Sequence, residues 1–347
     1  MKAAVLHAIG DIRYEDVPIP EIGPGEVLIR VRAAGICGSD IPRVMVTGTY
    51  HFPTIPGHEF AGEIVRVGKE VHGVKPGARV SVIPCIPCRR CKYCQGGDFF
   101  HCLNYNYLGS RADGGFAEYV KAPSENLVFL PEGMDFEEGA STEPVSVALH
   151  MIKRAKGIHP GDWVCVFGAG AIGIFCAQWA KSLGAEKVFI VDIAHQRLDT
   201  AKKIGLKRCI NAATQDIVEY ILDRTEREGV DLCMEVAGTN ITLEQCLKIA
   251  RRKGRVALVG RIGQKVCISE ESMSSILRKE LTIFGGWGFE FVNFPHHTWR
   301  TSLNFMREGK VQTKPLITHR FSLQESSKVF KMMYEKEQYF HKVMFIP

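Results

Sequence analysis

A glycine pattern at residues 168–173 constrains the fold of this chain more than any other sequence feature. The run Gly-Ala-Gly-Ala-Ile-Gly follows a strand-like stretch, 163–167, and opens a helix-like one, 172–183. Gly168 allows a tight turn, Gly170 lets the backbone approach a ligand closely, and Gly173 lets the helix pack against the strand. The pattern predicts a strand–turn–helix unit that binds the pyrophosphate of a dinucleotide, because free N–H groups and the helix dipole favour negative charge there.

Similar glycine patterns occur in ordinary turns, so the surrounding sequence decides whether this one indicates a dinucleotide site. A second strand-like run, 187–191, follows the helix, and Asp192 ends it nineteen residues after Gly173. A carboxylate there accepts hydrogen bonds from the adenosine ribose and repels a 2′-phosphate, which favours NAD over NADP, although nearby Arg197 opposes this. The predicted cofactor-binding residues are Gly168, Gly170, Ile172, Gly173, Asp192 and Arg197.

The pattern of predicted secondary structure changes near Pro160. Residues 1–150 are rich in Gly, Pro and short β-type runs such as 115–121, which predicts an irregular, mostly antiparallel β domain. Beyond them, strand-like and helix-like runs alternate, which predicts βαβ units and a doubly wound parallel sheet. We therefore expect an α/β fold plus irregular β, with domains at 1–150 and 151–293. The last segment, 294–347, is less regular.

Composition excludes several other classes. Hydrophobic residues make up 46% and charged residues 24%, which suits a soluble globular protein. The net charge of +6 comes without a basic stripe, so we expect no nucleic-acid partner. The apolar stretch 163–180 contains three glycines, so it reads as strand, turn and helix rather than a membrane span. The amino terminus is a poor signal peptide, and we expect a cytoplasmic protein with no membrane partner.

Four of the twelve cysteines predict a closed metal site. They follow the pattern Cys-x2-Cys-x2-Cys-x7-Cys in a polar stretch, at Cys88, Cys91, Cys94 and Cys102. Four thiolates at this spacing can surround zinc tetrahedrally and leave no open position, and an iron–sulfur cluster is the chemical alternative. Cys85 lies nearby and is not predicted to be a ligand. A disulfide framework does not suit a chain of this length without an export signal.

A second candidate metal site has ligands far apart in sequence, so its spacing is weaker evidence, but its residue types suit catalysis better. Cys37 lies in Gly-Ile-Cys-Gly-Ser-Asp, His58 and Glu59 lie in Pro-Gly-His-Glu, and Glu143 lies in Thr-Glu-Pro. Each has an ordinary explanation alone: a core cysteine, a loop histidine and surface carboxylates. Together, a mixed Cys, His and Glu shell with an open fourth position would be a catalytic zinc site.

These motifs, with the segments 113–119 and 278–281, resemble the zinc-containing medium-chain dehydrogenase/reductase family over essentially the whole chain. The resemblance implies a GroES-like catalytic domain, a Rossmann domain, a final segment (294–347) that returns to the catalytic domain, and a cleft between the domains. It also implies two zinc ions per chain and NAD. The family favours dimers or tetramers, and we expect a homodimer.

Glu143, at a position where many relatives have cysteine, resembles the polyol dehydrogenase branch of the family. Segments 37–43 and 108–115 are similar to members that act on phosphorylated polyols. The resemblance implies that Cys37, His58 and Glu143 hold the catalytic zinc, and that Glu59 is an occasional fourth ligand in place of water.

Ser39 is expected to pass on the proton that the substrate releases. Many relatives end this relay with a histidine where this chain has Pro42, and proline carries no proton. Either water or the cofactor ribose receives the proton from Ser39 directly, or Glu59 or His51 substitutes; the sequence leaves both open.

The implied reaction is reversible oxidation of a secondary alcohol of a polyol phosphate to a ketose phosphate, with zinc as Lewis acid. Arg43 and Arg111 are candidates for the phosphate, because a planar guanidinium suits it, though each is equally well explained as a surface or packing arginine.

Three alternatives remain. An unphosphorylated polyol such as sorbitol or xylitol would require the same zinc and cofactor residues. A zinc-free quinone reductase would lack the metal ligands found here. A non-catalytic, metal-stabilised NAD-binding protein would leave Cys37, His58 and Glu143 unexplained.

Overall fold

The computed structural model describes residues 1–291 and 297–347, which divide into two compact units. The first unit comprises Met1–Glu143, Glu290–Arg307 and Leu316–Pro347. The second comprises Pro144–Phe289 and Glu308–Pro315. Each unit has a hydrophobic core of its own, so each is described separately.

The first unit is mostly β-structure. Its long third strand buries Val27, Ile29 and Val31 along one face, the alternation that a half-buried strand requires. Its third helix begins with a capping box, in which Asp135 and Glu138 each bond the other's backbone N–H. The strands are β1 (Lys2–Ala8), β2 (Asp11–Asp16), β3 (Glu26–Gly35), β4 (Glu59–Val67), β5 (Arg79–Val82), β6 (Cys85–Ile86), β7 (Asn106–Tyr107), β8 (Tyr119–Pro123) and β9 (Leu127–Phe129). The helices are α1 (Asp40–Pro42), α2 (Lys92–Gln95) and α3 (Phe136–Ala140), with a π-helical turn at Arg43–Thr47.

The second unit is a six-stranded parallel sheet in the order β12-β11-β10-β13-β14-β15, the doubly wound order of a dinucleotide-binding fold. Its strands are β10 (Trp163–Phe167), β11 (Lys187–Asp192), β12 (Arg208–Asn211), β13 (Val230–Glu235), β14 (Ala250–Leu258) and β15 (Thr282–Gly285). Its helices are α4 (Thr142–Arg154), α5 (Ala171–Ser182), α6 (His195–Lys203), α7 (Ile217–Arg224), α8 (Asn240–Ile249) and α9 (Glu270–Arg278).

The apolar stretch 163–180 is a strand, a turn and a helix, as predicted, because β10 ends at Phe167 and α5 begins at Ala171. No helix within the described residues combines the length and the apolar composition that crossing a membrane requires.

The last elements of the chain complete the first sheet. They are α10 (His297–Arg307), β16 (Ile317–Phe321), α11 (Ser326–Glu335) and β17 (Lys342–Phe345), with short 3-10 turns at Lys314–Leu316 and Leu323–Glu325. Strand β17 pairs antiparallel with β3 and parallel with β16, which gives the sheet order β16-β17-β3-β4-β5-β9, with β8 also on β3. Val329 and Phe330 of α11 join the core of the first unit.

Candidate metal and cofactor sites

Two neighbouring strands bring three predicted metal ligands together. Gly35, at the end of β3, is the register partner of Glu59, at the start of β4. Cys37 follows the first strand and His58 precedes the second, so both lie at the same edge of the sheet. The ligand atoms of Cys37, His58 and Glu59 all lie within 4.8 Å of one another. Antiparallel register thus joins residues that sequence spacing alone could not relate.

Asp40 orients two of these ligands and was not predicted. It is fully buried, and its Oδ2 accepts a hydrogen bond from the Cys37 backbone N–H at 3.0 Å. Its Oδ1 forms an ion pair with the Arg43 guanidinium and lies 3.3 Å from His58 Nδ1, although that angle departs from a hydrogen bond. A carboxylate on the Nδ1 side of the ring leaves Nε2 for a metal.

The charges around His58 favour a cation. Burial alone would lower the pKa of His58, but Asp40 and Cys37 outweigh it and raise that pKa well above its usual value. Burial would likewise raise the pKa of Asp40, but His58 and Arg43 hold it below its usual range. A divalent cation in this position would meet the same favourable field.

Glu59 has a buried partner that sequence reasoning missed. Its Oε2 forms an ion pair with Lys342 of β17, and the lysine Nζ also donates to Ile36 O at 3.1 Å. Both side chains are nearly inaccessible to solvent. The only signal in the sequence is a lysine at the start of an otherwise apolar strand, which does not identify its partner.

Glu143 lies outside the group of three but in the same electrostatic surroundings. It is buried at the start of α4. Burial raises the pKa of its carboxyl, with Glu59 and Asp40 acting in the same direction against His58 and Lys342. Nearby negative charge destabilises an ionised Glu143, and a bound dication would relieve that repulsion.

The four loop cysteines form a compact sulfur cluster around α2. Cys91 Sγ lies 3.6 Å from Cys94 Sγ and 3.9 Å from Cys102 Sγ, and Cys88 N donates to Cys102 Sγ at 3.1 Å. Four sulfurs bound to one zinc lie about 3.8 Å apart, whereas a disulfide requires about 2.05 Å. All four are free cysteines, and their separations fit zinc. Cys85 is not part of the group.

The backbone of this loop favours thiolates. The N–H groups of Cys94 and Leu103 point at Cys91 Sγ and lower the pKa of that thiol to about 6. The N–H of Arg90 acts in the same direction on the pKa of Cys88. Donors directed at sulfur are what a thiolate–metal site needs, because zinc binds the deprotonated form.

The glycine turn has the geometry that its sequence predicts. Gly168 adopts a positive φ of 101° and donates to Val191 O at 2.7 Å. A side chain at Gly173 would come within 1.8 Å of Gly168 O, so only glycine allows α5 to start here. At Gly170, by contrast, an added carbon would meet no atom within 4 Å. The turn leaves open space at the start of α5, beside half-buried Ile172, which fits a pyrophosphate.

Asp192 is held at the end of β11 by backbone donors. Its Oδ2 accepts from Ala169 N at 2.7 Å and its Oδ1 accepts from Ala194 N at 2.8 Å. Arg197 Nη1 lies 3.5 Å from the same carboxylate. The arginine is thus paired with Asp192, and the carboxylate retains lone pairs for ribose hydroxyls.

The remaining predicted residues have different surroundings. Ser39 is exposed, and its Oγ lies 3.3 Å from Cys37 Sγ. Arg43 is engaged by Asp40, as described above. Arg111 instead lies between two tyrosine rings, and His51 Nε2 lies 3.2 Å from Arg111 O. The other ring nitrogen of His51, Nδ1, lies 3.1 Å from Pro53 O, so both nitrogens contact backbone carbonyls.

Two family models match the chain. The alcohol dehydrogenase GroES-like domain matches residues 23–132, and the zinc-binding dehydrogenase model matches residues 171–308. The galactitol 1-phosphate 5-dehydrogenase of Escherichia coli (strain K12) is 35% identical over 93% of this chain and 94% of its own length. The chain belongs to the zinc-binding dehydrogenase family.

Other members of the zinc-binding dehydrogenases resemble the chain as closely. The sorbitol dehydrogenase of Bacillus subtilis (strain 168) is 35% identical over 100% of this chain and 97% of its own. The crystal structure of galactitol-1-phosphate dehydrogenase from Escherichia coli has a TM-score of 0.94 at 35% identity, with both chains covered completely. These comparisons confirm the predicted family, fold class and oxidoreductase assignment. The relatives are named for both phosphorylated and free polyols.

Proposed function

We propose that this protein oxidises one secondary alcohol of a polyol phosphate to the ketone, as in the conversion of galactitol 1-phosphate to tagatose 6-phosphate, with zinc and NAD. The observation that carries the proposal is the Cys37, His58 and Glu59 group in a chain of this family. The 35% identity to galactitol 1-phosphate 5-dehydrogenase over 93% of this chain supports the phosphorylated substrate.

We assign the catalytic zinc to Cys37, His58 and Glu143, with Glu59 as an occasional fourth ligand in place of water. Thiolate, imidazole and carboxylate are ligands that zinc takes in proteins. When bound, zinc would supply a Lewis acid that lowers the pKa of the substrate hydroxyl. Lys342 keeps Glu59 in an ion pair, which supports water or substrate in the fourth position. The cysteine loop would hold the second, structural zinc.

The glycine turn and Asp192 support NAD as the cofactor. Open space at Gly170 admits the pyrophosphate, and the Asp192 carboxylate can accept from ribose hydroxyls while repelling a 2′-phosphate. Arg197 favours the phosphate of NADP less than a free arginine would, because it is paired with Asp192. When bound, the nicotinamide would accept the hydride.

The structure also bears on where the released proton goes. Ser39 Oγ lies beside Cys37 Sγ and is exposed, so it can take a proton from a bound hydroxyl. Of the two candidate substitutes for the missing histidine, His51 has both ring nitrogens against backbone carbonyls and Glu59 is paired with Lys342. We therefore propose that Ser39 passes its proton directly to water or to the cofactor ribose.

A free polyol is the second candidate substrate. The similarity to the sorbitol dehydrogenase of Bacillus subtilis covers the whole chain at the same identity. Sorbitol or xylitol would use the same zinc and cofactor residues. Only the residues that contact the end of the polyol, where the phosphate would otherwise lie, would differ in role.

We further propose a homodimer joined at the outer edge of the parallel sheet. Strand β15 pairs with β14 and, within the described residues, with no other strand. An unpaired edge is a template for a second chain. Three apolar side chains are exposed here: Ile283 on the strand, and Leu277 and Trp287 near it in sequence. Leu277 is 68% exposed and Trp287 is 67% exposed, which supports an apolar contact at this edge.

The test is NADH formation by the zinc-loaded protein with galactitol 1-phosphate, galactitol and sorbitol. We expect strong preference for the phosphate ester and loss of turnover in Cys37→Ala. Preference for a free polyol would replace the substrate assignment but keep the dehydrogenase. No turnover above the Cys37→Ala background on any of the three would contradict the proposed reaction and favour a non-catalytic NAD-binding protein.

A further inference from the structure

One arginine of the first unit is clamped between two aromatic rings. The Arg111 guanidinium carbon lies 4.1 Å from the centre of the Tyr50 ring and 4.3 Å from that of Tyr105. Within residues 1–291 and 297–347, no carboxylate pairs with it, and its Nε is buried without a hydrogen-bond partner. A partly buried charge without a counter-ion in the protein favours an anion from elsewhere.

Two other arginines of the same unit that are also partly buried have carboxylate partners. Arg43, the alternative phosphate candidate, is paired with buried Asp40. Arg89 also stacks on a ring, that of Phe99 at 4.0 Å, but it is paired with Glu125. Stacking therefore occurs elsewhere without leaving the charge unpaired, and the unpaired guanidinium at Arg111 needs its own explanation.

The backbone around the clamp is hydrogen-bonded on both sides. Thr49 Oγ1 donates to Ser110 O at 2.6 Å, and His51 Nε2 lies 3.2 Å from Arg111 O. These bonds fix the loop that carries Tyr50 against the loop that carries Arg111. The guanidinium is thus held in place before any ligand arrives, which reduces the entropy cost of binding.

The clamp is close to the metal-ligand group of the same unit. The Tyr105 ring contacts the Tyr107 ring at 6.3 Å, and the Tyr107 ring contacts the His58 ring at 5.8 Å. The loop also bonds directly to the segment before His58, through Gly115 N and Gly57 O at 2.8 Å. Two aromatic rings therefore separate the guanidinium from a candidate zinc ligand.

We infer that Arg111, clamped by Tyr50 and Tyr105, binds the phosphate ester at the end of the polyol; this assignment rests on the proposed function. A planar guanidinium can bond two phosphate oxygens at once, and its edge remains usable while both faces are covered by rings. Lysine would keep the charge but lose both the stacking and the paired donors.

The test compares KM and kcat for galactitol 1-phosphate and for galactitol in wild type, Arg111→Gln and Arg111→Lys. The matched control is Arg224→Gln, because Arg224 stacks on Tyr220 at 3.5 Å in the second unit. We expect Arg111→Gln to raise KM for the phosphate ester about 10- to 100-fold, from the strength of charged hydrogen bonds. KM for galactitol should not change, and Arg111→Lys should fall between.

Equal loss with both substrates, or no loss with either, would overturn the assignment. Tyr50→Leu is a second variant at an exposed position, and it should weaken only the phosphate ester; thermal melts and zinc content confirm that each variant folds.

If wild type turns over neither substrate, the proposed function fails while the phosphate site stays testable. Calorimetric titration of galactitol 1-phosphate into the zinc-loaded protein then decides. Binding lost in Arg111→Gln supports the site, and equal binding, or none to wild type, refutes it.

Discussion

At the scale of single residues, the charge balance of the metal-ligand group depends on Lys342. This lysine lies on the last strand, yet it neutralises Glu59 on the fourth. A buried ion pair adds little net stability, but removing one partner leaves an uncompensated buried charge. Lys342 therefore fixes Glu59 and sets how available that carboxylate is to a metal.

Replacing Lys342 by methionine should destabilise the zinc-loaded protein by about 3–5 kcal/mol, the usual cost of an orphaned buried charge. Thermal and urea unfolding measure it. Glu59→Gln in the same chain should restore much of the loss, since no charge is then left unpaired. The matched control is Lys202→Met, which breaks the exposed pair with Asp199 and should cost less than about 1 kcal/mol. Equal effects of the two lysine variants would contradict the ion-pair argument.

The structure brings predicted ligands close together, but the partners of those ligands were not predicted from the sequence. The cysteine loop is local, so spacing alone indicates the cluster. Asp40 is adjacent to a predicted ligand but resembles an ordinary helix-start residue, and Lys342 reaches Glu59 only through strand pairing. Such partners depend on register between distant strands, which no local pattern encodes.

At the scale of elements, two glycines of the turn have different roles: one allows the helix to pack, and the other leaves space for a ligand. Gly173 is required by packing, whereas a side chain at Gly170 would meet only the open space in which we propose that the pyrophosphate binds. Gly173→Ala should destabilise the protein by about 1–3 kcal/mol, a typical cost of overpacking. Gly170→Ala should fold normally but bind NADH more weakly, which fluorescence titration with thermal melts would show. Unchanged NADH affinity in a folded Gly170→Ala would argue against a pyrophosphate there.

Two buried thiols of the cysteine loop offer a matched pair. Burial raises the pKa of both Cys85 and Cys94 to about 12, but only Cys94 belongs to the sulfur cluster. Cys94→Ser should reduce zinc content from two ions to one, whereas Cys85→Ser should retain both. Elemental analysis of the purified variants measures this. Loss of zinc in both variants, or in neither, would contradict the cluster as a metal site.

Element prediction succeeded where the hydrophobic period is regular. Strand β10 matches the predicted run 163–167, and β11 and α5 match theirs within one residue. The predicted run 115–121 becomes a strand only at Tyr119, because Gly114 and Phe116 bond to the segment 55–57 instead. Long-range backbone bonds overrode a plausible β pattern there.

At the scale of the whole molecule, the proposed dimer depends on the exposed edge of the second unit. Ile283→Asp on β15 should convert a dimer to a monomer in light scattering, because a charge would be buried against the partner. Ile241→Asp is the control, since Ile241 is more exposed than Ile283 and lies on the helix α8 rather than on β15. An unchanged mass for Ile283→Asp would exclude this edge as the contact.

The path of the chain also sets an order for synthesis on the ribosome. The second unit is nearly continuous in sequence, whereas the sheet of the first gains its β17 strand, with Lys342, only at the end of the chain. Domains fold as units while the chain emerges. The second unit can therefore fold first, and a nascent chain that stops before β17 would leave Glu59 without its partner Lys342 beside the candidate ligands Cys37 and His58.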